Sequence, residues 1–334
     1  MKGREKERAL RRAVTLVLGV ILLAAVFVTA VTTGAADMTW SELMKVFTAP
    51  SQSDNDRIVY YLRIPRVICA ALAGANLALS GCILQGLLRN PLADPGIIGI
   101  SAGAGLAAMT LMLAFPLLTA WVPAAAFAGA LIAAALVSVL AWDHGIQPLR
   151  LILAGVAVAA FFGGGMTALS VFFSDRVQGT VAWMAGGFAS AGWTHVKMIL
   201  PYTAIGMAAA IYGCRDLNAL ALGEETARAL GIETNRARLF LTAVAALLAA
   251  SAVSVAGLLG FVGLIVPHIM RLLVGSDFEY LMPASALFGA VLTAGGDTAA
   301  RTFFSPMEIP VGIFMSFIGA PFFLYLLKKR GRSL

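Results

Sequence analysis

The sequence predicts an all-α, polytopic integral membrane protein, and three observations predict it. Hydrophobic residues make up 60% of the 334 residues and charged residues only 12%, far from the balance of a soluble domain. Runs free of Asp, Glu, Lys and Arg recur along the chain, each near the roughly 20 residues that cross about 30 Å of hydrocarbon at 1.5 Å per residue. The 34 glycines and 13 prolines fall inside these apolar runs, as they do in transmembrane helices, and not in polar linkers. The chain, residues 1–334, therefore reads as one membrane-embedded domain.

The spans follow in order. Residues 13–33 form the first; a secretory signal is the alternative, because basic residues precede the run and Ala35-Ala36 follow it, but the apolar core is longer than a signal's. Residues 67–88 form the second. Residues 95–142 are about twice the length needed, and Phe115-Pro116 with Trp121-Val122-Pro123 divide them into a third and a fourth. Residues 151–174 are the fifth. Residues 198–214 and 280–296 are shorter and rich in small side chains, which suits helices packed inside a bundle. The run 239–267 bends near Gly257 or Gly260 and continues as a short extra helix through Met270, and 309–327 close the set. The count is about ten transmembrane helices.

Orientation follows from the positive-inside tendency. Lys2, Arg4, Lys6, Arg8, Arg11 and Arg12 precede the first span, and Lys328, Lys329, Arg330 and Arg332 follow the last. Both termini are then cytoplasmic, with an N-terminal tail over 1–12. The number of spans must be even, and the loop 214–238 with Arg215, Arg228, Arg236 and Arg238 falls on the same side. The net charge of +7 is explained by this topology, since no long basic face for nucleic acid is present. Cys69, Cys82 and Cys214 lie far apart without CxxC spacing and read as buried thiols.

The long apolar runs hold no ionisable residue of the kind that couples ion gradients to transport. Asn76 and Gln85, both in the second span, are either hydrogen-bonding glue between helices or a lining for a path. His144, His195 and His268 are scattered, and neither HExxH nor GxSxG occurs, so no catalytic or metal site is predicted. No phosphate-binding Walker loop is present either. Energy for uphill transport would have to come from another polypeptide.

Six groups of residues, in order, carry a resemblance. They are Arg63-Ile-Pro-Arg66; Gly81, Gln85 and Arg89-Asn-Pro-Leu-Ala-Asp-Pro95 with Gly99 and Ser101-Ala-Gly-Ala104; Trp183-Met-Ala-Gly-Gly187 with Trp193; Leu220-Ala-Leu-Gly-Glu-Glu-Thr-Ala227 with Leu230-Gly231; Gly260-Phe-Val-Gly-Leu-Ile-Val-Pro-His268 with Arg271; and Gly296-Asp297 with Arg301, Glu308-Ile-Pro-Val-Gly312 and Gly319-Ala-Pro-Phe322. Over nearly the whole chain the sequence resembles the FecCD family of ABC-importer permeases, which take up ferric siderophores, haem and cobalamin. The resemblance implies a permease subunit with no enzymatic site of its own, in the cytoplasmic (inner) membrane of a prokaryote. It pairs with a second permease copy, two ATP-binding cassette ATPase subunits that hold ATP and Mg, and an extracytoplasmic substrate-binding protein. A ferric siderophore is the first expectation for the cargo. Cobalamin is second, because the segments at Trp183 and Gly223 resemble those of the family's vitamin B12 permease, and haem is third.

Residue roles combine the resemblance with physical chemistry. Gly223, Glu224, Glu225 and Thr226 suit the start of a short helix, with acidic groups at its positive end. Ala227, Leu230 and Ile232 add a small apolar face, and Gly231 follows. The resemblance makes this segment the coupling helix that seats on the ATPase. Arg63, Arg66 and Arg301 fall on the outer side against the positive-inside tendency; they either snorkel to the interface or, as in the family, dock acidic groups of the binding protein. Asn90, Pro91 and Leu92 would narrow the cytoplasmic mouth. Gln147 and Pro148 would form a second constriction, although they depart from the polar pair of the vitamin B12 permease. Gly163, Gly164 and Gly165 permit either close helix packing or bending beside a path.

Overall fold

The computed structural model describes residues 2–33, 54–143, 145, 147–303 and 307–330. His144, the Ala35-Ala36 pair and Arg332 lie outside the described residues. Helices account for almost all of the rest, and no strand occurs among the described residues.

The first helix, α1 (Lys2–Thr32), takes in the basic residues 2–12, so they are its first turns and not a separate tail. Helix α2 (Ile64–Leu87) is entered through one α-helical turn at Asp54–Ile58 and a π-helical turn at Val59–Arg63. Pro65 explains the π-turn. Its ring would strike the carbonyl four residues back in a regular helix and it has no N–H to donate, and a wider turn relieves both. The helix thus begins well before residue 67, and Arg63 and Arg66 are helical, not loop residues.

Next come α3 (Ile100–Ala114), α4 (Val122–Leu140) and α5 (Pro148–Phe172). A 3-10 segment over Pro116–Trp121 joins α3 to α4, at the breaks expected there. A short helix α6 (Gln178–Met184), which the sequence did not predict, precedes α7 (Trp193–Tyr212). Two short helices, α8 (Cys214–Leu222) and α9 (Glu224–Ala229), occupy the polar segment before α10 (Thr234–Ala256). Gly257 has φ 69°, which breaks the chain before α11 (Val262–Val274). The last two helices are α12 (Phe278–Phe303) and α13 (Val311–Arg330). Among the described residues, six helices are long and apolar enough to cross a membrane, or seven if α7 and α8, bent by 52° at their junction, count as one. Residues 100–114, 262–274 and 311–324 are shorter apolar helices.

Helix α2 lies at the centre, packed against α7, α10, α11 and α12. Glycines make that possible. A methyl group on Gly74 would sit 2.2 Å from the Gly289 carbonyl oxygen of α12, and one on Gly81 would sit 2.0 Å from the Gly263 carbonyl oxygen of α11. Backbones this close gain dispersion contacts that larger side chains would prevent. Gly103 and Gly129 face each other in the same way where α3 crosses α4.

Candidate functional site

Three assemblies hold the residues singled out in the sequence. The first is built on Gln85, near the end of α2 and only 3% exposed. Its Nε2 donates to the carbonyls of Ala93 (3.4 Å), Gly263 (3.2 Å) and Leu264 (3.3 Å), while its Oε1 accepts from Arg271 Nη1 at 3.1 Å. Buried amides are stable only with partners, and here the partners are the loop 90–93 and both ends of α11. Gln85 therefore faces into the chain and ties the loop to the bundle. Asn76 is also turned inward, donating to Thr203 Oγ1 (2.8 Å) and Ser251 Oγ (2.9 Å), which joins α2 to α7 and α10.

The loop after α2 is rigid by construction. Arg89 has φ 48°, rare for a residue with a side chain. Asn90 accepts the Leu92 N–H at 3.0 Å on its side chain and the Ala93 N–H at 3.0 Å on its carbonyl, and Pro91 stiffens the turn between them. Asp94 accepts the Gly96 N–H at 2.9 Å and so caps the 3-10 turn Pro95–Ile98. Burial pushes the Asp94 carboxyl above the ordinary carboxylate range, although the residue keeps an accessible edge, and the Gly96 N–H pulls it back. Gln147 precedes α5 in an extended conformation with Pro148 at the first helical position. Pro148 meets Leu87, Leu88 and Arg238 around a small gap, so the second loop stands beside the end of α2.

The second assembly is the polar segment. Gly223 (φ 122°) turns the chain from α8 into α9. Gly231 ends α9 with φ 80° and donates to the Arg228 carbonyl at 2.9 Å, while the Ile232 N–H reaches back to the Ala227 carbonyl at 3.1 Å. This is a Schellman motif, and it sets the direction in which the chain enters α10. Glu224 bridges Arg228 (2.6 Å) and Arg238 (2.9 Å), the latter on α10 and nearly buried. The apolar face divides: Ala227 is 0% exposed and packs into this chain, whereas Leu230 is 63% exposed. Glu225 and Thr226 are exposed beside it. The polar segment and the loop after α2 adjoin, since a methyl on Gly223 would lie 3.7 Å from Arg89 Nη1. Glu224, through Arg238, also reaches the gap lined by Pro148.

The third assembly is at the other end. Arg66 grips Asp297 with two bonds (Nε to Oδ2, 2.7 Å; Nη2 to Oδ1, 3.0 Å) and Glu308 with a third (Nη1 to Oε2, 2.8 Å). Arg63 is 7% exposed and donates to the Val31 carbonyl at 2.9 Å, and Arg301 donates to the Ala30 carbonyl. Both satisfy carbonyls that the end of α1 leaves open, at its negative pole. The arginines that ran against the positive-inside tendency thus have structural work inside the chain. Arg66, Asp297 and Glu308 also line a cleft of about 360 Å³ with Trp183 and Phe188.

The helices reach beyond the charge-free runs and take in ionisable residues, among them Arg66 in α2, Arg271 in α11 and Asp297 in α12. Asp297 lies within α12 and is 3% exposed. The apolar run ends at Gly296, but the helix continues to Phe303 because Arg66 neutralises the carboxylate. Arg301, one helical turn on, donates to the Ala30 carbonyl, so the local spacing of residues 297 and 301 does not announce the pair with Arg66. Arg271 was also missed as a partner of Gln85, and nothing in the spacing of residues 85 and 271 announces it. The glycine run behaves differently from the packing glycines: around Gly163 and Gly164 no atom would lie within 4 Å of an added methyl, and Gly165 faces the Leu106 side chain, not a backbone carbonyl, at its nearest approach.

Comparison with known proteins agrees with this architecture. The family model of the FecCD transport family matches residues 21–329. The chain is 44% identical over 277 residues to the Fe(3+)-citrate import system permease protein YfmE of Bacillus subtilis, covering 83% of each. It is 42% identical over 296 residues to the cobalamin import system permease protein BtuC of Halobacterium salinarum, covering 87% of this chain and 80% of the relative. Among solved structures, an inward-facing metal-chelate type ABC transporter superposes with a TM-score of 0.84 at 29% identity, over 94% of this chain and 98% of that one.

Proposed function

Since the chain belongs to the FecCD transport family, we propose that it is the permease subunit of an ATP-driven importer that carries a metal chelate into the cytoplasm of a prokaryote. The observation that carries this reading is the contact between the polar segment and the two loops. Glu224 holds α9 to Arg238, Arg238 borders Pro148, and Arg89 reaches Gly223. A push on α9 by an ATPase would arrive at Asn90, Pro91, Leu92 and Pro148 within one shell of side chains. Leu230, with Glu225 and Thr226, is the part of α9 left exposed for such a partner. ATP and Mg would reside on that partner.

In this reading the shorter apolar helices also cross the membrane, giving ten spans with the bent pair counted once, and both termini face the cytoplasm of an inner-membrane protein. A second copy covers α5, whose exposed face includes Phe161 and Gly164, and the path runs between the copies. An extracytoplasmic binding protein sits on the outer rim, where Arg66 and Arg301 keep some accessible surface and Arg63 serves the end of α1. A ferric chelate is the preferred cargo because relatives are named for Fe(3+)-citrate and iron(3+)-hydroxamate import. Cobalamin is the second reading, favoured by the named cobalamin permease.

Proteoliposomes containing this chain, its ATPase and its binding protein test the proposal. Labelled ferric siderophore is expected to accumulate only with ATP, and more than cobalamin or haem. Accumulation driven by a proton gradient without the ATPase would overturn the reading, and a preference for cobalamin would move the cargo to the second one.

A further inference from the structure

The geometry points to a binding site for one phosphatidylethanolamine molecule in the wedge between the α7–α8 corner and the start of α12. The site is independent of what the protein transports and needs only that the chain sits in a bilayer. Three features of the wedge define it: its shape, its apolar walls and the charges on its rim.

The shape comes from the corner between α7 and α8, bent by 52°; α8 is held to the start of α12 by Asn218, which donates to Asp277 and accepts the Phe278 N–H, and a groove of about 320 Å³ remains between the corner and α12. The groove is walled by Leu79, Met207, Ala210, Met282 and Ala286. Leu79, Ala210, Met282 and Ala286 are each no more than 2% exposed. Ala286 also belongs to a separate apolar cluster with Ala75 and Ala290, flanked by Leu23 and Met207. Such walls suit a hydrocarbon chain, which needs apolar contact and no hydrogen bonds.

The mouth has a different chemistry. Arg215 and Glu279 stand on its rim, both are exposed, and they form no ion pair with each other. Tyr212, 81% exposed, lies beside them, and an exposed tyrosine next to charged groups marks the level of lipid headgroups. A glycerophospholipid with its tail in the groove brings its phosphate to this level, where the guanidinium of Arg215 can hold two of its oxygens. One cation alone would accept any phospholipid. Glu279 narrows the choice to a headgroup that also carries a hydrogen-bonding ammonium, which ethanolamine has, glycerol lacks, and choline has only in a form without N–H.

Native mass spectrometry of the full chain in detergent, with added phosphatidylethanolamine, phosphatidylglycerol or phosphatidylcholine, tests the site. Wild-type protein is expected to retain phosphatidylethanolamine in preference to the other two. Filling the groove with Met207→Trp, or removing the cation with Arg215→Gln, should weaken retention about tenfold. Glu279→Gln should abolish the preference over phosphatidylglycerol. Ile205→Trp, on the same helix but 59% exposed and outside the groove lining, should retain the lipid as wild type does. Equal binding of the three lipids by the wild type would overturn the proposal. So would unchanged retention in Arg215→Gln, or a loss in Ile205→Trp matching that in Met207→Trp. Arg215→Gln and Glu279→Gln change exposed side chains only, so the test stands even if Met207→Trp fails to fold.

Discussion

Helices α2 and α5 have nearly equal lengths, 24 and 25 residues, and both are apolar enough to cross a membrane. Their surroundings are opposite. Of the most apolar window, 83% is buried inside the chain for α2 and only 17% for α5. Helix α2 holds Asn76 and Gln85, each with partners on other helices, and it carries glycines that face carbonyl oxygens. Helix α5 touches its own chain along the narrow stripe Leu151, Gly155 and Val158, and Leu153, Val156 and Phe161 are at least 60% exposed. Hydropathy alone places both helices in the membrane. What separates them is how much of each helix meets a neighbour: α5 has one close approach, at Gly155, where a methyl would lie 1.8 Å from the Ile97 carbonyl oxygen, whereas α2 has such glycines at two levels and two amides bonded to other helices.

Substitutions should therefore separate the two helices sharply. The largest expected effect is from Arg66→Ala at the start of α2, which leaves Asp297 buried without its cation. Breaking a buried pair in this way costs about 3–5 kcal/mol, read as a large fall in the midpoint of thermal unfolding in detergent. Glu308→Gln cuts only the arm to a half-exposed carboxylate and should cost below about 1 kcal/mol. If the two variants lose the same amount, Asp297 is not the principal partner of Arg66.

A smaller but cleaner contrast comes from single methyl groups. Gly81→Ala places a methyl 2.0 Å from the Gly263 carbonyl oxygen, an overlap expected to cost about 1–3 kcal/mol. Gly164→Ala meets no atom within 4 Å and should leave the unfolding midpoint of the single chain unchanged or slightly raised, since alanine favours the helix by about 1 kcal/mol. Equal destabilisation by both changes would mean that α5 packs against its own chain more closely than the structure shows.

Much of this division was legible in the sequence, and the unread part has physical causes. The breaks at Pro116, Pro123 and Gly257 were readable because proline and a positive φ act locally. The short helix at Glu224 was readable for the same reason, with acidic residues at its start and Gly231 at its end. The extent of α2 was not, because a π-turn at Val59–Arg63 let the helix absorb Pro65 and two arginines, and charge-free runs stop at the first charge. Gly163, Gly164 and Gly165 drew attention as a run, while tight backbone contacts were made by single glycines, among them those at positions 74, 81, 103, 129, 155 and 289. Close approach depends on which residue faces which neighbour, and that pairing is a property of the assembled bundle. The bonds from Gln85 to Arg271 and from Arg66 to Asp297 join residues far apart in sequence, so only the fold discloses them.

In the proposed importer two copies would meet at the open face of α5 and build the path there. Single cysteines at Phe161, Gly164 and Ala168, three exposed positions on one side of the helix, can be oxidised in native membranes; the native Cys69, Cys82 and Cys214 are buried. The expected result is a disulfide-linked dimer from at least one of the three, and none from Val20→Cys, which is 60% exposed on α1. Absence of dimer from all three α5 positions, or equal dimer from Val20→Cys, would contradict the account.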